Sequence, residues 1–431
     1  MASTELSRTP TTAGNRKTWT FSAWIKRAKI SSGYPRLFSS YQSNNDRFEI
    51  YIHQDDTITI ESVYGASQTL NLKTNRKFRD TNGWYHIVVA IDTTQATSSD
   101  RVKLYINGVQ ETSFSSSTYM AQDQNTSTND TYIHYIGETG YNSGGQNFDG
   151  LMSHVHLTDG TAYSASTFGS TDSTTGQWKI NTNPSVTYGT NGFFLFKDNA
   201  SVSDQSGNSN DFTASGTLTP TEDCPSNVFA AGNPLSSNAT MTNGNLSFSG
   251  TYNWKSTLAF SSGKYYAECK ITNSNTYNPM LGIAQVGSSN IDNPGGTGYA
   301  GNTANSYAYQ RDGKIFANGS STATQTGLTT ISQNDIVGIA VDLDSATKTI
   351  KWYINGTLEA TENLTETASE PYVFWTYAST SQAGTGDWNF GNGYFGTTTI
   401  SSEGTNASGL GKFEYDVPTG YTALCTKGLN E

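Results

Sequence analysis

The sequence predicts an all-β protein built from two consecutive antiparallel β-sandwich (jelly-roll) domains. Three observations carry this expectation. Short apolar-alternating segments are split by Asn, Gly, Ser, Thr and Asp clusters, amphipathic helices are missing, and one strand-and-hairpin pattern occurs in each half. A length of 431 residues exceeds what one hydrophobic core organises, which favours two domains.

In residues 18–30, period-two alternation puts Trp19, Phe21, Ala23 and Ile25 on one strand face and Trp24 on the other. Further strands are expected at 48–53, 57–63, 85–92, 102–107, 131–137 and 151–158, each bounded by turn formers. The second half repeats the style at 264–271, 280–286, 307–309, 336–343, 349–355, 372–377 and 388–390. Between them, residues 199–234 are rich in Asp, Ser, Asn, Gly and Pro, which places the boundary near Glu222 and the domains at 1–222 and 223–431. Val102-Lys-Leu-Tyr-Ile-Asn-Gly108 matches Ile350-Lys-Trp-Tyr-Ile-Asn-Gly356 in its alternation and its Asn-Gly stop, a pair that tolerates positive φ and closes tight hairpins. Two such hairpins are too few to establish a repeat.

Only 34% of residues are hydrophobic and 14% charged, so solubility rests on neutral Ser, Thr, Asn and Gln. With 42 Gly, 25 Tyr, 19 Phe and 8 Trp, the chain is suited to turns and to cores built around large rings. A formal charge of −11 argues against nucleic acid as a partner. Against that acidic background, Arg8, Arg16, Lys17, Lys26, Arg27, Lys29 and Arg36 face one acid, Glu5, within the first 36 residues. This segment is either a solvated face or a docking site for an acidic neighbour, with Arg8, Arg16, Lys17, Lys26 and Arg27 as the docking residues. Cys224, Cys269 and Cys425 fit reduced, structural thiols. No apolar run reaches the ~18 residues of a membrane span, and the opening Met-Ala-Ser-Thr-Glu has no signal-peptide pattern, so synthesis and assembly in a cytoplasm are expected.

Glycoside hydrolysis needs two carboxyl groups across the substrate, and no strand carries a Glu-x-Asp-x-x-Glu array; Asp46 with Glu49, Asp55-Asp56, and Asp342 with Asp344 read as turns or strand ends. No catalytic residue is therefore assigned. A calcium site is a weak candidate, with Asp198, Asp204, Asn208 and Asp211 (beside Asn199) as ligands, although the same residues cap turns. His154 and His156 have the spacing to share a strand face, which would allow a metal pair, but no Cys or acid at ligand spacing completes it, so structural roles are expected. Ring stacking on sugars needs loop aromatics next to amides and carboxylates. Tyr299, Tyr307, Tyr309, Trp375 and Tyr377 are the candidates in the second half; Tyr34, Tyr64 and Tyr141 are those in the first. Trp19, Trp24, Trp84 and Trp352 are expected in cores.

Trp84-Tyr-His-Ile-Val-Val-Ala-Ile-Asp92, the hairpin at 102–108 and Asp149-Gly-Leu-Met-Ser-His-Val-His156 resemble a laminin G-like or concanavalin A-like lectin domain over roughly residues 15–215. Gly263-Lys-Tyr-Tyr-Ala-Glu-Cys-Lys-Ile271, Leu281-Gly-Ile-Ala284, Asn334 through Asp344 and Trp388-Asn-Phe-Gly391 resemble a SPRY domain over roughly residues 225–430. The opening Leu6-Ser-Arg-Thr-Pro10, the stretch Asp204 through Phe212 and the ending Val417 through Cys425 are similar to structural proteins of marine bacteriophages. These resemblances imply a virion surface protein without catalysis, either a homo-oligomer or present in several copies in the particle. One implied role is a tail fibre or spike binding host surface polysaccharide; the other is a head or tail decoration subunit binding other virion proteins.

Overall fold

The computed structural model describes residues 4–31, 33–141, 146–198, 200–235, 237, 239–250, 252–273, 279–288, 304–365, 370–378 and 384–430. The chain divides into two compact units between Leu218 and Thr219. Glu222, where composition places the boundary, already belongs to the second unit: its N–H donates to Asn392 O at 3.3 Å and its carboxylate meets Lys412 at 2.8 Å. Among the described residues no helix is long and apolar enough to cross a membrane.

In the first unit, an eight-stranded sheet runs in the order β10 (Phe114–Thr118), β6 (Ser67–Lys77), β5 (Thr57–Tyr64), β4 (Asp46–Ile52), β3 (Arg36–Ser43), β11 (Ile133–Ile136), β1 (Glu5–Arg8), β16 (Thr213–Ser215). A six-stranded sheet faces it in the order β15 (Phe193–Leu195), β12 (Gly150–Asp159), β2 (Thr18–Arg27), β7 (Tyr85–Asp92), β8 (Val102–Ile106), β9 (Val109–Glu111); β13 (Gly169–Thr171) and β14 (Trp178–Ile180) form a separate ribbon. The core between the sheets takes Trp19, Phe21, Ala23 and Ile25 from β2 and Phe48, Ile50 and Ile52 from β4. Trp19 is fully buried, meets Phe48 edge-on at 4.9 Å, and donates its indole N–H to Thr126 Oγ1 at 3.0 Å, so its one polar atom is satisfied in the core.

The second unit has an eight-stranded sheet ordered β17 (Thr240–Thr242), β18 (Ser247–Gly250), β29 (Gly384–Asn389), β20 (Lys264–Ile271), β25 (Ile336–Asp342), β26 (Thr349–Ile354), β27 (Thr357–Asn363), with Thr422–Ala423 parallel to β20. Its six-stranded partner is ordered β19 (Tyr252–Lys255), β28 (Tyr372–Ala378), β21 (Met280–Gln285), β22 (Ser306–Gln310), β23 (Lys314–Ala317), β24 (Gln325–Thr326). Trp254, Trp388 and Phe390 stack nearly parallel in this core, with Trp254 to Trp388 centroids 5.0 Å apart. Trp24, Trp84 and Trp352 are also buried, as their strand settings predict.

Both Asn-Gly hairpins use one device. Asn107 and Asn355 adopt positive φ (47° and 49°), and each side-chain oxygen accepts an N–H near the start of the first hairpin strand: His86 N at 2.7 Å and Ile336 N at 2.9 Å. The backbone closes the same bridge in reverse, from Asn107 N to His86 O and from Asn355 N to Ile336 O. Such an asparagine supplies both the left-handed backbone and an acceptor.

Candidate functional site

Alternation in β4 sends Phe48, Ile50 and Ile52 inward, so Arg47, Glu49 and Tyr51 face outward from the eight-stranded sheet. Register carries a polar row across all eight strands on this face, from Thr118 through Asn71, Glu61, Glu49, Ser39, Tyr135 and Ser7 to Thr213. Glu49 and Glu61 thus lie directly opposite one another on adjacent strands, a placement of like charges that is unfavourable unless cations intervene.

Two arginines intervene. Arg36 meets Glu49 through Nε at 3.1 Å and Nη2 at 3.2 Å; Arg47 bridges Glu49 Oε2 at 3.2 Å and Glu61 Oε1 at 2.6 Å. Thr139 Oγ1 donates to Glu49 at 2.7 Å and Tyr51 OH to Glu61 at 3.3 Å. The guanidinium groups are roofed by rings, Arg36 by Tyr51 at 4.4 Å and Arg47 by Tyr141 at 4.2 Å. Beside them Tyr34 packs edge-on against His53 at 5.0 Å, and Lys73 reaches Asp55 at 2.8 Å. The floor, Arg36, Arg47, Glu49 and Tyr51, is buried, while Tyr34, His53, Glu61 and Tyr141 form a half-buried rim. Charge is balanced and the rim is aromatic, which suits a neutral polyhydroxylated ligand better than an ion. Arg47 pairs with both carboxylates and joins them in one network.

Comparison with known families agrees with these sandwiches. Residues 3–167 match the concanavalin A-like lectin/glucanases superfamily, and residues 264–393 match the SPRY domain. The first unit is thus lectin-like and the second SPRY-like. Among solved structures, the chain is similar to the SPRY domain of human HERC1 (16% identity, 40% of this chain and 99% of that chain, TM-score 0.30). It is also similar to mouse laminin alpha1 chain domains LG4-5 (10% identity, 86% and 79% covered, TM-score 0.29). A third is the native heptameric SAP-like pentraxin from Limulus polyphemus (20% identity, 38% and 72% covered, TM-score 0.28). No curated protein matches the chain.

The SPRY-like aromatics expected to stack on sugars are not available for it. Tyr307 and Tyr309 lie in the core between the sheets, with hydroxyls engaged by the backbone N–H of Thr365 at 2.8 Å and by Thr329 O at 2.5 Å. Trp375 and Tyr377 sit in a second apolar cluster with Met280 and Val373, and Trp375 donates to Asn253 Oδ1 at 2.9 Å. Each is at most 6% exposed, so no ring face is free for a ligand. Tyr299 lies outside the described residues. Alternation placed these rings on strands correctly but could not say which faces the fold would cover.

The basic segment of the lectin-like unit is largely engaged within that unit. Arg16 pairs with Asp130 at 2.6 Å, Lys17 with Asp123 at 3.1 Å, Arg27 with Asp56 at 3.0 Å and Lys29 with Asp149 at 2.7 Å. Arg8 donates to Asn210, and Lys26, only 4% exposed, to Asn82 at 3.4 Å. Cations clustered in sequence are dispersed over strands β1, β2 and β3 and the segments between them, and Arg16, Lys17, Arg27, Lys29 and Arg36 pair with acids elsewhere in the unit.

The proposed calcium ligands act as turn caps. Asp204 accepts the N–H groups of Phe194 at 2.9 Å, Ser206 at 2.9 Å and Asn210 at 2.9 Å, and the hydroxyl of Ser206 at 2.7 Å. Asp211 accepts Asp204 N at 2.7 Å, Asp198 accepts Gln205 Nε2 at 3.1 Å, and Asn208 donates to Gly189 O at 2.7 Å. Oxygens committed to backbone donors are not presented to one point, and among the described residues no three His, Cys, Asp or Glu side chains converge on a metal position. Asn199 lies outside the described residues. The histidines are held by aromatics: His86 lies between Trp24 (4.8 Å) and Trp178 (6.0 Å), and burial lowers its pKa to about 3. Trp178 Nε1–H donates to His86 Nδ1 at 3.0 Å, which fixes the proton on Nε2, facing Ser22 Oγ at 2.9 Å.

Sequence reasoning missed Arg47, Glu49, Tyr51 and Glu61. Alternation in β4 already puts the first three on one face; the register that sets Glu61 beside them is non-local.

Proposed function

We propose that the lectin-like unit binds a neutral cell-surface glycan across the outer face of its eight-stranded sheet, and that the chain acts as a host-adhesion component on a bacteriophage virion. The observation that carries the binding reading is the aromatic rim of Tyr34 and Tyr141 beside the charge-balanced Arg36–Glu49–Arg47–Glu61 network. Sugar faces stack on rings and hydroxyls meet the surrounding carboxylates and hydroxyls. Laminin G-like and SPRY domains are typically binding modules without catalysis, which agrees with a face that holds its two glutamates in ion pairs. The virion setting, with host polysaccharide and neighbouring virion proteins as partners and several copies per particle, is supported by the resemblance of the opening and closing segments to marine phage structural proteins. An architectural role through the N-terminal basic segment is less favoured, because its cations are largely engaged within their own unit.

Calorimetric titration of the full chain with host-cell polysaccharide tests the reading. Binding is expected, with Tyr34→Ala or Tyr141→Ala weakening it about tenfold, ~1.4 kcal/mol, while far-UV circular dichroism stays unchanged. Binding that survives both substitutions would move the site elsewhere, and release of shorter saccharides would make the chain a hydrolase. Detection of the protein in purified particles by mass spectrometry checks the virion setting.

A further inference from the structure

The outer face of the eight-stranded sheet of the lectin-like unit is divided by the segment that follows β11. Gly137 N–H donates to Leu37 O at 3.3 Å, Ser39 Oγ donates to Glu138 O at 3.0 Å and Thr139 Oγ1 donates to Glu49 at 2.7 Å, so residues 137–139 cross β3 and reach β4. Gly140 lies against the ring of Tyr41, too close for any side-chain carbon to fit between, and Tyr141 then covers Arg47. Ser39 and Glu49 point out of the sheet yet are wholly buried beneath this segment. The polar row across the eight strands is thereby cut: Tyr135, Ser7 and Thr213 lie on one side, Glu61, Asn71 and Thr118 on the other.

Around Glu49 the face is closed on three sides. Thr139 blocks the end toward β3. Tyr51 lies two residues along β4 in one direction, with Tyr34 edge-on to its ring at 6.2 Å; Arg47 lies two residues along in the other, beneath Tyr141. Four residues of strand set these two walls about 14 Å apart at the backbone. Lys73, paired with Asp55 at 2.8 Å and in register with Thr59 and Tyr51, continues the Tyr34 wall onto β6. The fourth side is open. Glu61 and Asn71 are half-buried and Thr118 is exposed, and at about 4.8 Å per strand they continue the floor for about 10 Å to the β10 edge. The Asn71 amide and the Thr118 hydroxyl make no hydrogen bond among the described residues, which leaves both for a ligand.

We propose that this pocket receives the free end of a neutral glycan chain and not an internal stretch of it. A chain held through its interior must leave the site in two directions, and the segment 137–141 leaves it one. The terminal ring sits between Tyr34 and Tyr141 with its hydroxyls toward Glu61, and the following rings pass over Asn71 and Thr118 and out at β10. The two oxygens of Glu61 are oriented by Arg47 at 2.6 Å and Tyr51 OH at 3.3 Å, and an ionised carboxylate, with about four acceptor sites, keeps lone pairs for further hydroxyl donors. A charged terminal sugar finds no spare counter-ion, because Arg36, Arg47 and Lys73 are already paired with Glu49, Glu61 and Asp55. The inference rests on the glycan reading and adds to it which part of the chain is recognised.

Host-cell polysaccharide split by partial acid hydrolysis into a long and a short size fraction tests the proposal, in calorimetric titrations of the full chain with equal masses of each. End recognition makes the number of sites per gram rise in proportion to the number of chain ends, so the short fraction should offer more sites at similar affinity. Equal numbers of sites per gram in the two fractions would mean binding along the chain interior, which overturns the proposal and leaves the glycan reading standing; no binding by either fraction overturns both. Asn71→Ala, on the open side, should weaken binding about fivefold, the loss of one hydrogen bond, whereas Thr213→Ala, beyond the dividing segment, should change nothing. Weakening by Thr213→Ala and none by Asn71→Ala would put the ligand on the other half of the face and sink the inference.

Discussion

On strand β20 the Glu268 carboxylate is completely buried and no salt bridge neutralises it among the described residues, in contrast to Glu49 with its two arginines. It accepts the N–H groups of Glu414 and Tyr415, both at 2.9 Å, the hydroxyl of Tyr266 at 3.2 Å and the amide of Asn389 at 3.3 Å, and so ties the C-terminal segment to the sheet. Burial, only partly offset by these donors, raises its pKa to about 7 from 4.5. The folded state therefore holds this proton more tightly than the unfolded chain does. Its contribution to stability is complete below about pH 4.5 and is lost as pH rises to about 7, by up to about 3 kcal/mol. Glu268→Gln should remove that slope; urea unfolding at about pH 5 and about pH 8 measures it.

At the scale of the element, the two Asn-Gly hairpins separate backbone strain from hydrogen bonding. Asn107→Gly and Asn355→Gly keep positive φ accessible and lose the side-chain acceptor for His86 N or Ile336 N, and at Asn355 also the amide donor to Asp335 Oδ1 at 2.8 Å. Each should cost about 1 kcal/mol. Alanine at either position adds the left-handed penalty and should cost about 2–3 kcal/mol in total. Thermal midpoints of the four variants check the order; equal losses for Gly and Ala would mean that φ carries no strain. Strands 85–92 and 264–271 are legible to the residue because their alternation or apolar run is unbroken. Strands β1, β6 and β10 are not legible: Glu5–Arg8, Ser67–Lys77 and Phe114–Thr118 are largely polar, and sheet neighbours rather than their own pattern make them strands.

For the whole molecule, each unit encloses its own core, one around Trp19, Phe21, Phe38 and Phe48 and the other around Trp254, Trp352, Trp388 and Phe390. Fragments 1–218 and 219–431 should therefore each unfold cooperatively, with near-UV dichroism from their tryptophans. The pH slope assigned to Glu268 should appear in the second fragment and be missing from the first. Aggregation or a non-cooperative transition in either fragment would show that its core is incomplete alone. Charge follows the same division of labour: the basic N-terminal residues neutralise acids of their own unit, such as Asp130, Asp56 and Glu49.

Alternation, turn chemistry and the aromatic load determined the all-β class, two sandwiches, the paired hairpins and the inward face of β2, because each depends on residues close together in the chain. The destination of the polar and charged residues was decided only by tertiary structure. Glu49 finds Glu61 through strand register, Arg27 finds Asp56 across the unit, and a bulge in β12 brings His154 against His156. Tyr307 and Trp375 follow the same alternating pattern as exposed strand residues, yet packing covers them. Pairing register and the covering of a sheet face are set by long-range contacts, and local sequence carries no record of which partner will arrive.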